Sequence, residues 1–207
     1  MEIKTPNQEV VVFSGDLGPS HTPLLPDPKP PKCADYLFLE STYGNKQHES
    51  VETRSRRLLQ IIQRSLVDGG VILIPAFSVG RTQELLSDIE TLLSQHQLCE
   101  RLPIIVESPL ATKVTKVYRR YRKLWSREAK AKVLRGRRPL SFDQCIVVES
   151  NQEHVRLVNR LATTGEPAIV IAASGMCQGG RIVNYLKPSY LTRELMWCFA
   201  AIRLAAH

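Results

Sequence analysis

The 207-residue sequence contains no run of about 18 consecutive apolar residues, the length that a membrane-spanning helix needs. We therefore expect no membrane partner. Its five cysteines are scattered and form no Cys-x-x-Cys pair, which argues against a cysteine zinc site or a disulfide framework and favours reduced thiols in the cytoplasm. The first residues contain neither an apolar core nor a cleavage pattern, so we expect no secretory signal. The Gly-x-x-x-x-Gly-Lys pattern of a nucleotide-binding P-loop is also missing.

The charge of the sequence is unevenly placed. Apolar residues make up 43% and charged residues 23%, which is ordinary for a globular protein, but the net charge is +8. Twelve lysines and arginines lie between Lys113 and Arg138 with a single acid, Glu128. Such a segment attracts polyanions, because each neutralised phosphate releases counterions. A solvated helix face with a biased composition would look the same, so charge alone leaves both interpretations open.

Short apolar runs rich in β-branched residues alternate with amphipathic segments, joined by Gly, Ser and Pro turns. This alternation predicts an α/β fold with a mainly parallel sheet flanked by helices. The predicted strands are residues 9–14, 36–40, 71–75, 103–107 and 168–172, the first two of them buried. The predicted helices are residues 50–67, 81–95, a basic helix after residue 109, residues 152–162 and a helix beginning after residue 180. Six prolines in residues 19–31 predict an irregular loop that lies over a surface.

Two predicted strands end in carboxylates. Asp16 follows the first strand between two glycines, and Glu40 ends the second. Functional groups of such sheets gather at the carboxyl ends of strands, and an aspartate between glycines can approach a metal closely. Each acid also has a structural interpretation, since Asp16 could bond its own turn and Glu40 could cap the turn after it. By themselves the two residues do not decide between these alternatives.

Five ordered sequence blocks together indicate a family. They are residues 13–18 (FSGDLG), 34–44 (ADYLFLESTYG), 74–86 (IPAFSVGRTQELL), 106–111 (VESPLA) and 172–181 (AASGMCQGGR). In this order and with these spacings they closely resemble the β-CASP family of metallo-β-lactamase-fold nucleases. That family includes bacterial ribonucleases and the eukaryotic endonuclease of mRNA 3′-end processing. The resemblance extends from about Val10 to Lys187.

The resemblance implies a fold, a metal centre and a substrate. It assigns residues 1–76 to the C-terminal portion of a metallo-β-lactamase αββα sandwich and residues 77–187 to an incomplete β-CASP insert domain. Asp16 would bridge two zinc ions, which would polarise an RNA phosphodiester and supply a metal-bound hydroxide. Glu40 would orient a catalytic histidine from outside the metal site. Residues 188–207 show no resemblance, so we expect a divergent tail produced by a frameshift or a truncated reading frame.

Most of the family's zinc ligands are absent from the sequence. There is no His-x-His-x-Asp-His stretch, and the later histidine motifs are missing. A stable zinc site needs three or four protein donors for each ion, so we expect an inactive fragment of a zinc-dependent ribonuclease. The alternative is a non-catalytic RNA-binding or scaffold module, and a second chain or a second copy is a candidate for completing the fold. We expect non-ligand roles for the histidines, namely a surface position for His21, solvated or capping positions for His96 and His154, an outer position for His48, and no motif context for His207.

Three groups of residues are candidate RNA contacts. Ser78 and Arg81 open a helix after a strand, where free backbone N–H groups suit a phosphate, although Ser78 could simply cap that helix. Ser174 and Gly175 lie in a turn of small residues that a phosphate or sugar could approach. The third group is the arginines of the basic segment, namely Arg119, Arg120 and Arg122. The aromatic residues among them, Tyr118, Tyr121 and Trp125, could stack on bases or form the apolar seam of the helix.

Overall fold

The computed structural model describes residues 1–45, 47, 49–98 and 102–187. His48, His207 and the predicted tail of residues 188–207 lie outside the described residues. The strands are β1 (Glu2–Lys4), β2 (Val10–Phe13), β3 (Tyr36–Phe38), β4 (Val71–Pro75), β5 (Ile104–Glu107), β6 (Cys145–Val147) and β7 (Ala168–Ala172). The helices are α1 (Val51–Asp68), α2 (Arg81–Gln95), α3 (Pro109–Arg120), α4 (Arg127–Leu134), α5 (Asn151–Thr164) and α6 (Ile182–Tyr185), and a 3-10 turn spans Arg122–Leu124.

The larger sheet has the strand order β4-β7-β5-β6, and all its neighbouring strands are parallel. Its central strands are continuous apolar runs, as expected for a parallel sheet covered on both faces. Ile72 and Ile74 of β4 pack into one core cluster with residues of α1, α2, α3 and α4. Val71 and Leu73 of the same strand belong to a second cluster with residues of α5 and α6. The predicted parallel α/β sheet flanked by helices is therefore confirmed.

The helices begin and end where the sequence carries capping residues. The Ser50 side chain accepts a hydrogen bond from the Thr53 N–H at the start of α1, and Gly69 ends that helix with a φ of 81°. At α5, Ser150 and Glu153 form a reciprocal capping box. These signals account for the close agreement between predicted and observed bounds, within one residue for α1 and within two for α5.

The smaller sheet departs from the prediction. Strand β2 pairs antiparallel with β1 and parallel with β3. Residues 36–40 were expected to form a buried strand, but Tyr36, Leu37 and Phe38 are each more than half exposed, at 53%, 53% and 57%. Strand β3 lies at the edge of this sheet, and the described residues cover its side chains only in part. The stacked rings of Phe13 and Phe38, with centroids 4.6 Å apart, provide its main apolar contact within the described residues.

The basic segment was predicted to be a single helix, but it forms two. Helix α3 ends at Arg120, the 3-10 turn follows, and α4 begins after its cap Ser126. The break has a packing cause, because Trp125 is only 6% exposed and must turn into the core. The N–H of Ser126 also donates to the carbonyl of Leu24, 2.8 Å away, in the proline-rich loop. Leu24 itself is fully buried, so this loop is pinned to the helical layer rather than lying loosely on it.

Candidate functional site

The turn that carries Asp16 is hydrogen-bonded to Glu40. The Glu40 N–H donates to Ser14 Oγ at 3.1 Å. In return, Glu40 Oε1 accepts from the Leu17 N–H at 3.3 Å, and Oε2 accepts from the Thr42 N–H at 2.8 Å. Parallel pairing of β2 with β3 produces this arrangement, because it brings the carboxyl ends of both strands to one edge. The two predicted carboxylate positions therefore lie in adjoining turns.

Glu40 is held as a carboxylate. Hydrogen bonds from the Thr42 side chain, the Thr42 N–H and the Leu17 N–H lower its pKa from the ordinary value. These bonds match the structural interpretation of Glu40 as the cap of the following turn. Within the described part of the chain, no histidine is hydrogen-bonded to Glu40, so its orienting role stays a prediction.

The metal centre implied by the resemblance is not formed by the described residues alone. Among them, no three His, Cys, Asp or Glu side chains cluster closely enough to hold a metal ion. A stable zinc site needs three or four donors, and both Glu40 oxygens already accept backbone hydrogen bonds. Asp16 and Glu40 therefore do not by themselves fit a two-zinc site.

Two turns meet at the carboxyl edge of the larger sheet, and they carry Ser78, Ser174 and Gly175. The Ser78 and Ser108 hydroxyl oxygens are 2.8 Å apart, and Ser108 Oγ accepts from the Ala111 N–H to cap α3. Gly175 is packed so tightly that a Cβ there would lie 3.0 Å from the Phe77 backbone nitrogen. Ser78 does not cap α2, since that position belongs to Gly80, which lacks a side-chain cap. We call these two turns the carboxyl-edge turns.

Arg81 lies in a different environment. It lines a polar cavity of about 320 Å³ with Arg54 of α1, Asp88 of α2, Lys132 of α4 and residues of the proline-rich loop. Its Nη1 donates to Glu84 at 3.3 Å, and burial lowers the pKa of the guanidinium group. In the same cavity, burial raises the pKa of the Asp88 carboxyl to about 6.

The three predicted arginines of the basic segment come together in one groove. Arg119, Arg120 and Arg122 line a groove of about 600 Å³, which we call the basic groove. The other cationic residues that line it are Lys116, Arg137 and Arg138. Packing of α3, the 3-10 turn and α4 around Trp125 produces this clustering. The groove thus concentrates positive charge that the sequence spreads over about twenty residues.

The aromatic residues of the basic segment divide between the two predicted roles. The Trp125 indole N–H donates to the Tyr118 carbonyl at 3.1 Å, and Trp125 is buried. Tyr118 packs against the same core cluster. Both belong to the apolar seam, whereas Tyr121 is 55% exposed and remains free to contact a ligand.

Sequence reasoning missed a buried polar cluster around Glu107. His154 was expected to be solvated or capping, but it is 1% exposed, and its Nδ1 lies 2.9 Å from Glu107 Oε2. The same carboxylate accepts from Arg181 Nη1 at 3.2 Å and from the Tyr185 hydroxyl at 2.7 Å. The sequence did carry a signal for the burial of His154, though not for its contact with Glu107, because His154 has helical spacing with the apolar residues Val158 and Leu161.

None of the helices within the described ranges is long and apolar enough to cross a membrane.

Comparison with known proteins identifies the family. A model described as the Beta-Casp domain matches residues 82–194. The chain is 38% identical over 177 residues to Ribonuclease TTHA0252 of Thermus thermophilus, covering 86% of this chain and 39% of that protein. It is 31% identical over 191 residues to Cleavage and polyadenylation specificity factor 73 of Drosophila melanogaster, covering 91% of this chain and 25% of that protein. It is 32% identical over 151 residues to Endoribonuclease ysh1 of Schizosaccharomyces pombe, covering 73% of this chain and 19% of that protein. The chain thus spans about two fifths or less of these relatives, and it belongs to the β-CASP family of metallo-β-lactamase-fold RNA-processing nucleases.

Proposed function

We propose that this chain is part of a zinc-dependent nuclease that cleaves RNA phosphodiester bonds in the cytoplasm. The observation that carries the proposal is the hydrogen-bonded pair of turns holding Asp16 beside Glu40. Asp16 would bridge the two metal ions, and Glu40 would orient a catalytic histidine. Relatives named as a ribonuclease and an endoribonuclease support RNA as the substrate. The scattered cysteines support a reducing compartment.

In the proposed division of the chain, residues 1–76 are a portion of the metallo-β-lactamase domain, residues 77–187 are much of the β-CASP insert, and residues 188–207 are a divergent tail. The carboxyl-edge turns would contact the RNA backbone near the metal centre. Small residues at Ser174 and Gly175 favour a close approach, and the Ser78 hydroxyl adds a polar group beside them.

The isolated chain is expected to have little or no nuclease activity, because the described residues do not complete a zinc site. The test combines the zinc content of the purified chain with an RNA cleavage assay. We expect far less than one bound zinc per chain and no turnover. Stoichiometric zinc with turnover that Asp16→Ala abolishes would contradict inactivity; Asp143→Ala, at an exposed aspartate, is the matched control.

A second candidate function is that of a non-catalytic RNA-binding or scaffold module. The basic groove favours it, because it gathers six cations without needing the metal centre. The two functions make different predictions for this chain joined to the segments that carry the family's histidine motifs. A nuclease cleaves RNA in that context and loses cleavage with Asp16→Ala, whereas a scaffold module binds RNA in a salt-dependent manner and leaves it intact.

We also propose that the smaller sheet has a covering partner, which is either a second copy or a chain that completes the metallo-β-lactamase sandwich. The exposed apolar residues of β3 support this proposal, since an isolated sheet of three strands needs a packed face for stability.

A further inference from the structure

The basic groove extends away from the carboxyl edge: Lys116 lies at its near end, 4.0 Å from Glu149 just after β6, and its remaining cations lie farther along the chain. Helix α3 begins beside Ser108, whose hydroxyl contacts Ser78 at the carboxyl edge. Its 12 residues span about 18 Å at about 1.5 Å per residue. Arg119 and Arg120 are its last two residues, so they lie at the far end of the helix.

Helix α2 gives an independent measure of this separation. It starts just after the Ser78 turn, and Glu90 is its tenth residue. Glu90 binds Arg137 of the groove in a bidentate pair, with distances of 3.0 Å and 2.6 Å. Two separate helices therefore lead from the carboxyl edge to the far end of the groove over about 14 to 18 Å.

Most of the positive charge in the groove is uncompensated. Arg137 is paired with Glu90, and Lys116 approaches Glu149 only to 4.0 Å. Within the described part of the chain, Arg119, Arg120, Arg122 and Arg138 form no ion pair. A groove that gathers several unpaired guanidinium groups suits the closely spaced phosphates of a nucleic acid, because arginine can bind a phosphate in a bidentate manner.

The residues that line the groove indicate which part of a nucleic acid it binds. Trp125 contributes to its floor but is only 6% exposed, and its indole N–H is already used by the Tyr118 carbonyl. Base stacking needs an exposed ring face, and Trp125 is the aromatic residue among those that line the groove. The groove therefore offers cations for phosphates but no exposed ring on which a base could stack.

We infer that the basic groove is a second RNA contact, separate from the carboxyl-edge turns, that binds the sugar–phosphate backbone without sequence preference. This inference rests on the proposed action on RNA. At about 3.4 Å per stacked nucleotide, the roughly 18 Å from the carboxyl edge to the far end of the groove corresponds to about five nucleotides. An RNA must exceed this length to contact the carboxyl-edge turns and fill the groove, so the groove favours long substrates over short ones.

The test compares two triple variants with the same change in charge. Arg119→Gln, Arg120→Gln and Arg122→Gln remove groove cations. The matched control changes exposed cations of the same segment that do not line the groove, namely Arg127→Gln, Lys130→Gln and Arg135→Gln. Fluorescence anisotropy with single-stranded RNAs of about 5 and about 20 nucleotides, over a range of salt concentrations, measures Kd for each protein.

The wild-type chain should bind the longer RNA more tightly than the shorter one. The groove variant should weaken binding of the longer RNA at least tenfold, reduce the slope of log K against log salt by about 2, and lose most of the length dependence. The control variant should change each Kd less than threefold. Thermal melting of both variants identifies any loss that is caused by unfolding.

The possible outcomes separate the two proposals. Equal losses in the two variants would attribute binding to net charge and overturn the groove site, while RNA binding itself would stand. A folded groove variant that keeps its RNA affinity but loses binding to phosphatidylserine vesicles would also overturn it, in favour of a membrane contact. Failure of the wild-type chain to bind either RNA at low salt would count against the proposed function as well.

Discussion

Nδ1 of His154 lies 2.9 Å from Oε2 of Glu107, and both side chains are at most 1% exposed. The pair joins the end of strand β5 to the first turn of α5. Arg181 and Tyr185 donate to the same carboxylate, so the segment after β7 is held by it too. His154 Nε2 in turn lies 2.8 Å from Asn184 Nδ2. This cluster fixes the turn of Ser174 and Gly175 on its C-terminal side.

Removal of the Glu107 carboxylate should strongly destabilise the fold. Glu107→Ala removes the carboxylate that the Arg181 guanidinium and the buried His154 share, and a broken buried pair costs about 3–5 kcal/mol. Glu107→Gln should cost less, because the amide oxygen can still accept one hydrogen bond. Urea unfolding followed by circular dichroism measures both. Glu149→Ala, which removes only a distant exposed partner of Lys116, should change the free energy of unfolding by less than about 0.5 kcal/mol.

Alanine substitution should affect stability differently at the two adjacent glycines after the Ser174 turn, Gly179 and Gly180. Gly180 has a φ of 75°, and a Cβ there would strike the Ala173 carbonyl, so Gly180→Ala should destabilise by more than about 1 kcal/mol. Gly179 has no atom within 4 Å of its Cβ position. Gly179→Ala should be neutral, or stabilising by up to about 1 kcal/mol through the unfolded state. Thermal melts of the two variants check this, and equal effects would contradict it.

Much of the larger sheet could be predicted from the sequence because its signals are local. The strands 71–75 and 168–172 were predicted with their observed bounds, since each is a short apolar run between turn residues. Ser50 and Gly69 mark the ends of α1 in the same way. Strand β6 was missed, because Cys145–Val147 is too short to show a period.

The site could be predicted only in part, because its remaining features depend on long-range packing. Asp16 and Glu40 were each predicted at a strand end, and the structure places their turns side by side, while their roles toward a metal stay predictions. The Glu107–His154 pair joins residues 47 apart, and no local pattern encodes that contact. Similarly, the exposure of Phe38 could not be read from its sequence, because a strand with apolar residues on both faces looks buried whether or not something covers it.

Asp88 should make stability depend on pH. Burial raises the pKa of its carboxyl from 3.8 to about 6 in the folded state. Between these values the folded state keeps a proton that the unfolded state releases, so the free energy of unfolding falls as pH rises, by up to about 3 kcal/mol. Below this window both states are protonated, and above it both are ionised, so the contribution of Asp88 becomes constant on either side.

The measurement is urea unfolding at a series of pH values from about 3.5 to 7.5. Because other carboxyls titrate in the same range, the informative quantity is the difference between the wild-type chain and Asp88→Asn. That difference should change by a few kcal/mol across the window, with Asp88→Asn gaining relative stability at higher pH. Asp143→Asn, at an exposed site, should give a constant difference. A constant difference for Asp88→Asn would show that the neighbouring Lys132 and Arg81 offset its burial.

The exposed edge strand β3 should make the isolated chain associate. Tyr36, Leu37 and Phe38 are each more than half exposed, and an apolar edge strand offers both unpaired backbone groups and apolar area to another chain. Leu37→Lys should therefore raise the protein concentration at which light scattering first detects oligomers, because a charged side chain on an edge strand opposes pairing. Val67→Lys, which changes an exposed apolar residue of α1, is the matched control and should leave that concentration unchanged. A wild-type chain that stays monomeric at high concentration would contradict the prediction and remove the main support for a covering partner.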